Sequence, residues 1–315
     1  MNKDISIIIP VYNEEGNVEE LYNRVRMAMD KTNINYEVIF INDGSTDGTM
    51  GLLKSLALSS DLVKVVDFRR NFGQTAAMQA GIDHSKGKYI CFLDGDIQND
   101  PEDIPGMYRK AAEGYDIVSG WRHQRKDPFF SRKIPSMIAN SIIAKSTGVK
   151  LHDYGCSLKV YDGELLRGTP LYGEMHRFIP ALVALKGAKI TEVKVNHYPR
   201  KSGKSKYGIS RTFRVILDLI TVKFFGGFST KPLHIFGSWG MISATAGFLI
   251  SLYLAVIRIF FKEPIGNRPL LTLGILLIFL GIQFITIGLL GEFLTRIYFE
   301  NSGKKIYHVK EIVQK

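Results

Sequence analysis

Short apolar runs alternate with segments of helical periodicity along the first two-thirds of the chain. Seven such runs predict β-strands, namely Ser6–Pro10, Tyr36–Ile41, Val63–Phe68, Tyr89–Leu93, Asp116–Gly120, Leu158–Tyr161 and Lys189–His197. Between the first five runs, apolar residues recur at helical spacing, as Val18, Leu21 and Val25 do in a helix predicted over 15–30. Strands that alternate with helices predict βαβ units and a doubly wound, mostly parallel α/β sheet.

The last third of the chain follows a different pattern. Pro232–Ile257 and Pro269–Gly291 contain no Lys, Arg, Asp or Glu, and each exceeds the roughly 20 residues that cross a bilayer. We therefore expect two transmembrane helices in a hairpin. Residues 209–231 are basic and carry apolar positions at helical spacing, which predicts an amphipathic helix on the membrane surface. Packing of that helix on the globular domain is the alternative.

These patterns predict four segments. They are a catalytic domain over 1–208, the amphipathic helix over 209–231, the transmembrane hairpin over 232–297 and a cytoplasmic tail over 298–315. The N-terminus enters a strand directly and shows no signal-peptide pattern. We therefore expect a multi-pass protein of the cytoplasmic membrane whose catalytic domain faces the cytoplasm.

Composition narrows the class of partner. The net charge of +11 and the pI of about 9.4 indicate an anionic partner, which could be nucleic acid, an anionic membrane or a phosphorylated substrate. The chain shows no nucleic-acid-binding module. Two cysteines in 315 residues argue against a disulfide framework and fit a reducing compartment.

Acidic turns follow three of the predicted strands and suggest a metal site. Glu14, Asp43 and the pair Asp94 and Asp96 come directly after strands, and the carboxyl ends of parallel strands share one crevice. Two carboxylates separated by a glycine suit a hard divalent cation, and Gln98 offers a further oxygen. Solvated turns or ordinary helix caps are the alternative. The chain has no Gly-x-Gly and no Walker A loop, so a glycine cradle for nucleotide phosphates is absent.

Four motifs carry a family resemblance. Ile-Ile-Ile-Pro-Val-Tyr-Asn-Glu-Glu (7–15), Asn-Asp-Gly-Ser-Thr-Asp (42–47), Asp-Gly-Asp-Ile-Gln (94–98) and a basic Gly-Lys-Ser-Lys loop (203–206) resemble inverting family-2 glycosyltransferases with the GT-A fold. Two predicted membrane spans after the domain narrow the resemblance to polyisoprenyl-phosphate glycosyltransferases. That group includes dolichyl-phosphate mannose synthases and bactoprenol glucosyltransferases.

The resemblance implies a nucleotide-sugar donor, a polyisoprenyl phosphate acceptor in a lipid bilayer, and Mg²⁺ or Mn²⁺. The residues that it assigns to the nucleoside are Pro10, Tyr12, Glu14 and Asp43. Those that it assigns to the metal and diphosphate are Asp94, Asp96 and Gln98. Those that it assigns to the phosphates of donor and acceptor are Arg122, Arg132, Arg200, Ser205 and Lys206.

The expected chemistry agrees with these residue types. A leaving nucleoside diphosphate gains negative charge, which a cation and Arg122 would stabilise where it forms. A phosphate acceptor, with a second pKa of about 6 by analogy with phosphorylated side chains, is largely ionised at neutral pH and needs no strong base. Asp153 is the candidate base by position, and we expect it to orient the acceptor or a lysine at least as much. A turn cap is the alternative for Asp153.

The sugar stays open at this stage. Glucose from UDP-glucose is our expectation, while mannose from GDP-mannose, galactose and an amino sugar are alternatives. A polysaccharide synthase is a further alternative, although Gln-x-x-Arg-Trp is absent. A non-catalytic scaffold that binds nucleotide sugars is another. The paired spans also lead us to expect a homo-oligomer.

Overall fold

The computed structural model describes residues 3–123, 144, 148–169, 171, 175–184, 186–199, 232–266, 269–300 and 306–315. The chain forms two compact units. One comprises Met1–Val222 and Lys305–Lys315, and the other comprises Lys223–Lys304.

One sheet organises the first unit. In the described residues its strands are β1 (Lys3–Val11), β2 (Tyr36–Asn42), β3 (Val63–Phe68), β4 (Gly87–Phe92), β5 (Ile117–Trp121), β6 (Lys159–Asp162), β7 (Ile190–Lys194) and β8 (Val309–Gln314). Their spatial order is β7-β5-β6-β4-β1-β2-β3-β8. The pairs β1–β2, β1–β4, β2–β3 and β5–β7 are parallel, whereas β6 and β8 run antiparallel to their neighbours. The predicted α/β class with a mostly parallel sheet is therefore confirmed.

Helices of this unit cover the sheet. They are α1 (Val18–Asp30), α2 (Thr49–Ser59), α3 (Gln74–His84), α4 (Ile104–Ala112), α5 (Gly163–Arg167) and α6 (Ile179–Ala184), with 3-10 turns at Pro101–Asp103 and Met175–Phe178. Ile7, Ile8 and Ile9 of β1 are all fully buried, because both faces of the sheet are covered. A Cβ on Gly81 of α3 would lie 2.2 Å from the Ile8 side chain. The small residues of α3 therefore let this helix approach β1 closely.

The C-terminal residues differ from the tail predicted over 298–315. Val309–Gln314 pairs with β3 as the antiparallel edge strand β8, and Lys305–Lys315 belongs to the first unit. The segment is too polar to be read as a buried strand. Pairing with an exposed edge requires only alternate apolar positions, and Val313 packs against the core on one face while Ile312 is exposed on the other.

The second unit is a hairpin of two long helices, α7 (Pro232–Phe260) and α8 (Pro269–Glu300). Both are long and apolar enough to cross a membrane by length and composition. A Cβ on Gly240 or Gly247 would lie 2.7 or 2.5 Å from the carbonyl oxygen of Gly281 or Gly274. Glycine therefore allows the two backbones to touch. The amphipathic helix predicted over 209–231 lies outside the described residues.

Candidate active site

The turns that follow β1 and β2 are joined by hydrogen bonds. Asn13 adopts a left-handed backbone with φ 56°, its amide donates to Ser45 Oγ at 2.9 Å, and its Oδ1 accepts from the Thr46 amide at 2.8 Å. The Glu14 amide donates to Thr49 Oγ1 at 2.9 Å. Asparagine tolerates this backbone better than most residues, and its side chain pairs with nearby main chain. The motifs at 7–15 and 42–47 therefore form one structure.

The predicted nucleoside residues in the first turn lie close together. Pro10 occupies β1 opposite Ile41 of β2, and Tyr12 follows the end of the strand with a half-buried side chain. Glu14 Oε2 accepts from the Asn17 side-chain amide at 2.6 Å, which holds this carboxylate at the start of α1. Their role in nucleoside binding stays a prediction.

Asp43 joins these turns to the segment between β3 and α3. Its buried carboxylate accepts hydrogen bonds from the Phe72 and Gly73 amides at 2.7 and 3.0 Å. Burial raises the pKa of Asp43, although the two hydrogen bonds from the Phe72 and Gly73 backbone amides lower it. Asp43 therefore positions the backbone of 69–73. We call 12–15, 43–49 and 69–73 the loop cluster.

Asp94 and Asp96 follow β4 at the same edge of the sheet. Burial and the neighbouring charge of Asp96 raise the pKa of Asp94 to about 6, and the Gln74 side-chain amide donates to Asp94 Oδ1 at 3.2 Å. Ile97 adopts a left-handed backbone with φ 58°, which is a strained conformation for a β-branched residue. The turn thus holds two carboxylates near each other against electrostatic repulsion.

This carboxylate pair fits a divalent cation. No group of three or more His, Cys, Asp or Glu side chains suitable for a metal occurs within the described residues. A cation at Asp94 and Asp96 would need further oxygen ligands from substrate phosphates and water. Mg²⁺ is commonly bound in this way, with few protein carboxylates. The donor set and the mutual repulsion of the two carboxylates therefore agree with the predicted Mg²⁺ or Mn²⁺.

Gln98 connects this turn to the segment that follows β7. Its side-chain Nε2 donates to the Tyr198 carbonyl oxygen at 3.3 Å, and the Tyr198 amide donates to the Gln98 carbonyl oxygen at 2.8 Å. Asn99 forms a β-bridge with His197. Ligation of a metal by Gln98 stays a prediction, and the observed contacts also give this residue a role in holding two loops together.

Arg122 and Asp153 form a buried ion pair. Arg122 Nε donates to Asp153 Oδ2 at 2.6 Å and an Arg122 terminal nitrogen donates to Asp153 Oδ1 at 2.9 Å, while their side chains are only 13% and 4% exposed. Both Asp153 oxygens therefore accept from one guanidinium, in the two-pronged geometry that arginine favours. Asp153 is thus placed to hold Arg122, and its expected roles in orienting the acceptor or a lysine, or in accepting a proton, stay predictions.

Lys159 lies beside these groups and was not among the residues predicted from the sequence. It lies in β6 with 5% exposure, and its Nζ donates to the carbonyl oxygens of Tyr154, at 3.2 Å, and Cys156. Burial lowers the pKa of Lys159, and the nearby carboxylates of Asp153 and Asp94 oppose this effect. A lysine within a strand-like apolar run was the available signal.

Five side chains thus form a second group at this edge, which we call the charged cluster: Asp94, Asp96, Arg122, Asp153 and Lys159. Electrostatic interactions join Asp94 to Arg122 and Lys159. The remaining predicted phosphate-binding residues, Arg132, Arg200, Ser205 and Lys206, lie outside the described residues.

The two groups differ in what they can do chemically. The loop cluster presents turns and half-buried side chains that suit a neutral heterocycle and its ribose. The charged cluster places cationic groups beside a carboxylate pair, which suits a diphosphate that carries a divalent cation. The edge as a whole could therefore hold a nucleoside diphosphate and stabilise its departure.

Comparisons with known proteins identify the family of this chain. Residues 6–168 match the model of the family described as "Glycosyl transferase family 2". A dodecaprenyl-phosphate galacturonate synthase of Rhizobium johnstonii is 46% identical over 313 residues, which cover 98% of this chain and 93% of that protein. An undecaprenyl-phosphate 4-deoxy-4-formamido-L-arabinose transferase of Shewanella sediminis is 37% identical, covering 98% and 92% of the two chains.

Solved structures support the fold. Glucosyl-3-phosphoglycerate synthase from Mycobacterium tuberculosis, in complex with Mn²⁺ and UDP-glucose, superposes with a TM-score of 0.54 at 16% identity and covers 71% of this chain and 79% of its own. This likeness concerns the GT-A fold alone. The matched family model and the full-length relatives show that the chain is a glycosyltransferase of family 2 and belongs among the polyprenyl-phosphate glycosyltransferases.

Proposed function

We propose that this protein is a membrane-anchored, inverting glycosyltransferase that moves galacturonate from a nucleotide sugar to a polyprenyl phosphate. The observation that carries the proposal is the charged cluster beside the loop cluster at one edge of the sheet. A carboxylate pair that can hold a divalent cation, with an arginine and a lysine beside it, can stabilise the charge on a departing diphosphate.

The choice of sugar follows the relatives. The relative with 46% identity is named for galacturonate, whereas those at 36 and 37% identity are named for 4-deoxy-4-formamido-L-arabinose. Neither name supports the glucose expected from the sequence. Transfer of 4-deoxy-4-formamido-L-arabinose is therefore the second candidate.

The site residues take the following roles in this proposal. Asp94 and Asp96 hold a divalent cation, which when bound neutralises charge on the diphosphate. Arg122, held in place by Asp153, stabilises the negative charge of the same diphosphate. The acceptor phosphate is already ionised near neutral pH, so its oxygen attacks the anomeric carbon without a strong base. Attack opposite to the leaving diphosphate inverts that carbon.

The apolar hairpin supports a location in the membrane. α7 follows the catalytic unit, and the chain after α8 returns to the same unit as β8. Both ends of the hairpin therefore connect to one unit, as two complete crossings would require. We propose that this unit lies on the cytoplasmic side, where the acceptor phosphate reaches it from the bilayer. The expected homo-oligomer stays a prediction.

Transfer in detergent tests the proposed reaction. The purified full-length chain is incubated with undecaprenyl phosphate, Mn²⁺ and one radiolabelled donor at a time, and the lipid is extracted. We expect label from UDP-galacturonate. Label only from the 4-deoxy-4-formamido-L-arabinose donor would establish the second candidate. Label from no donor, with UDP bound, would point to another acceptor.

Cysteine labelling in intact cells tests the orientation. The native Cys91 and Cys156 are buried, so they give little background with a maleimide reagent. Lys262 lies in the exposed connection between α7 and α8, and Lys315 is exposed at the C-terminus. Lys262→Cys should react with an impermeant maleimide from outside, whereas Lys315→Cys should react only after permeabilisation. The reverse pattern would contradict the proposed orientation.

A further inference from the structure

The last ten residues of the chain do more than cover the edge of the sheet. The strand β8 covers β3. Of the two residues that precede β8, His308 contacts the loop cluster at Arg69 and Phe72, and Tyr307 contacts Phe68, which adjoins that cluster. Tyr307 is only 3% exposed.

Tyr307 is fixed by two interactions. Its ring stacks on Phe68 with centroids 5.1 Å apart and planes 18° apart, and its hydroxyl donates to Asp83 Oδ2 at 2.7 Å. Phe68 in turn meets the Phe72 ring edge-on at 5.6 Å. Aromatic pairs of this kind add specific geometry to apolar burial. Tyr307 therefore connects the end of β3, the end of α3 and the 69–73 segment.

His308 contacts the 69–73 segment at its first residue, Arg69. The Arg69 amide donates to the His308 carbonyl oxygen at 3.2 Å, and the His308 ring lies 5.9 Å from the Phe72 ring. The Arg70 guanidinium lies 4.0 Å from the centre of the Phe72 ring. Phe72 thus packs between groups from the C-terminal segment and from its own loop.

The segment held in this way supports the site directly. The Phe72 and Gly73 amides bind the Asp43 carboxylate, and Gln74, the first residue of α3, donates to Asp94. A Cβ on Gly44 would lie 2.4 Å from the Arg70 carbonyl carbon. The 69–73 segment therefore has little room to move without disturbing Asp43, Gly44 or Gln74.

We infer that Tyr307 and His308 are positioning residues of the donor site, which act through the 69–73 segment. The inference rests on the proposed function, because it takes the loop cluster as the nucleotide-binding part of the site. It also implies that the donor site is complete only after the chain beyond α8 has been synthesised and has joined the sheet.

Variants in the full-length chain test this inference. Tyr307→Ala removes the stacking and the bond to Asp83, and His308→Ala removes the second ring against Phe72. The matched control is Glu311→Gln, which weakens the ion pair between Glu311 and Lys54 at 2.6 Å on the same C-terminal segment. Two measurements are made in detergent, namely amide hydrogen exchange of 69–73 and the affinity for UDP.

We expect faster exchange at 69–73 and UDP binding weakened by about 3- to 30-fold in both alanine variants, the range found for residues that act through others. Tyr307→Phe, which keeps the stacking, should lie between Tyr307→Ala and the native chain. The KM for undecaprenyl phosphate should stay unchanged. If Tyr307→Ala does not fold, His308→Ala and Tyr307→Phe still decide the question.

Two results would overturn the inference. One is unchanged exchange at 69–73 in the alanine variants, and the other is an equal loss of UDP affinity in Glu311→Gln, which would indicate general destabilisation. Failure of the proposed function looks different. A native chain that binds no UDP would refute both proposals, whereas a chain that binds UDP but transfers no sugar would leave the positioning result standing.

Discussion

The loop cluster and the charged cluster share one edge of the sheet but are stabilised in different ways. The loop cluster is held by hydrogen bonds between side chains and main chain, such as those of Asn13 and Asp43. The charged cluster is held by attraction between buried groups of opposite charge, above all in the Arg122–Asp153 ion pair. The hydrogen bonds of the loop cluster fix its backbone conformation, whereas the charges of the charged cluster set the electrostatic potential at the site.

This difference predicts different consequences of substitution. Loss of one hydrogen bond between a loop and its neighbour costs about 0.5–1.5 kcal/mol, so the loop cluster should weaken gradually. Loss of one buried charge leaves its partner uncompensated at about 3–5 kcal/mol. The charged cluster should therefore fail abruptly, in activity, in stability or in both.

The largest expected effect belongs to Asp96. Asp96→Asn removes a charge from the proposed cation site, and we expect kcat/KM for transfer to fall by about 100-fold or more. The fold should be retained, because the substitution also relieves repulsion between Asp94 and Asp96. Transfer assays and thermal unfolding measure the two effects.

Asp61→Asn is the matched control for this substitution. Asp61 is a surface carboxylate, 79% exposed, that lies 3.8 Å from Lys315, and its loss should leave transfer unchanged. Removal of metal with EDTA should reproduce the Asp96→Asn loss in the native chain, and added Mn²⁺ or Mg²⁺ should restore transfer. Full activity of Asp96→Asn would contradict the proposed cation site.

The next effect concerns Arg122. Arg122→Gln leaves the Asp153 carboxylate buried without its partner, and we expect the free energy of unfolding to fall by about 3–5 kcal/mol. Transfer should fall as well, because one cation near the diphosphate is lost. Denaturant unfolding and transfer assays separate the two effects.

The double variant Arg122→Gln, Asp153→Asn sharpens this result. Removal of both charges should recover part of the stability, because no buried carboxylate is then uncompensated. Transfer should not recover. If Asp153→Asn alone left stability and activity unchanged, the ion pair would have no role in the site.

The smallest of these effects concerns Gly44 in the loop cluster. Its φ of 67° and its contact with the Arg70 backbone make Gly44→Ala strained, at a cost of about 1–3 kcal/mol. We expect weaker UDP binding by calorimetry with little change in kcat. Gly51→Ala is the control, since Gly51 lies in α2 with no atom near its missing Cβ. That substitution should stabilise the chain by about 0.5–1 kcal/mol.

The sequence indicated two of the three segments of the loop cluster, 12–15 and 43–49, and every residue of the charged cluster except Lys159. Glu14, Asp43, Asp94 and Asp96 were recognisable because turn residues at strand ends follow from local chemistry. The pairing of Arg122 with Asp153 was not, because 31 residues separate two side chains whose contact depends on β5 and β6 lying together. Lys159 was missed because its burial near Asp94, Arg122 and Asp153 depends on segments that are distant in the sequence.

The amino-acid sequence by itself determined the α/β class, the acidic edge, the family and the two apolar helices. These features follow from periodicity and residue type, which act over a few neighbouring residues. The tertiary structure decided that β6 runs antiparallel between β4 and β5, that Asp153 clamps Arg122, and that Tyr307 returns to support Phe68. Each of these depends on which distant segments meet, and that is set by burial of the whole sheet and not by any local pattern.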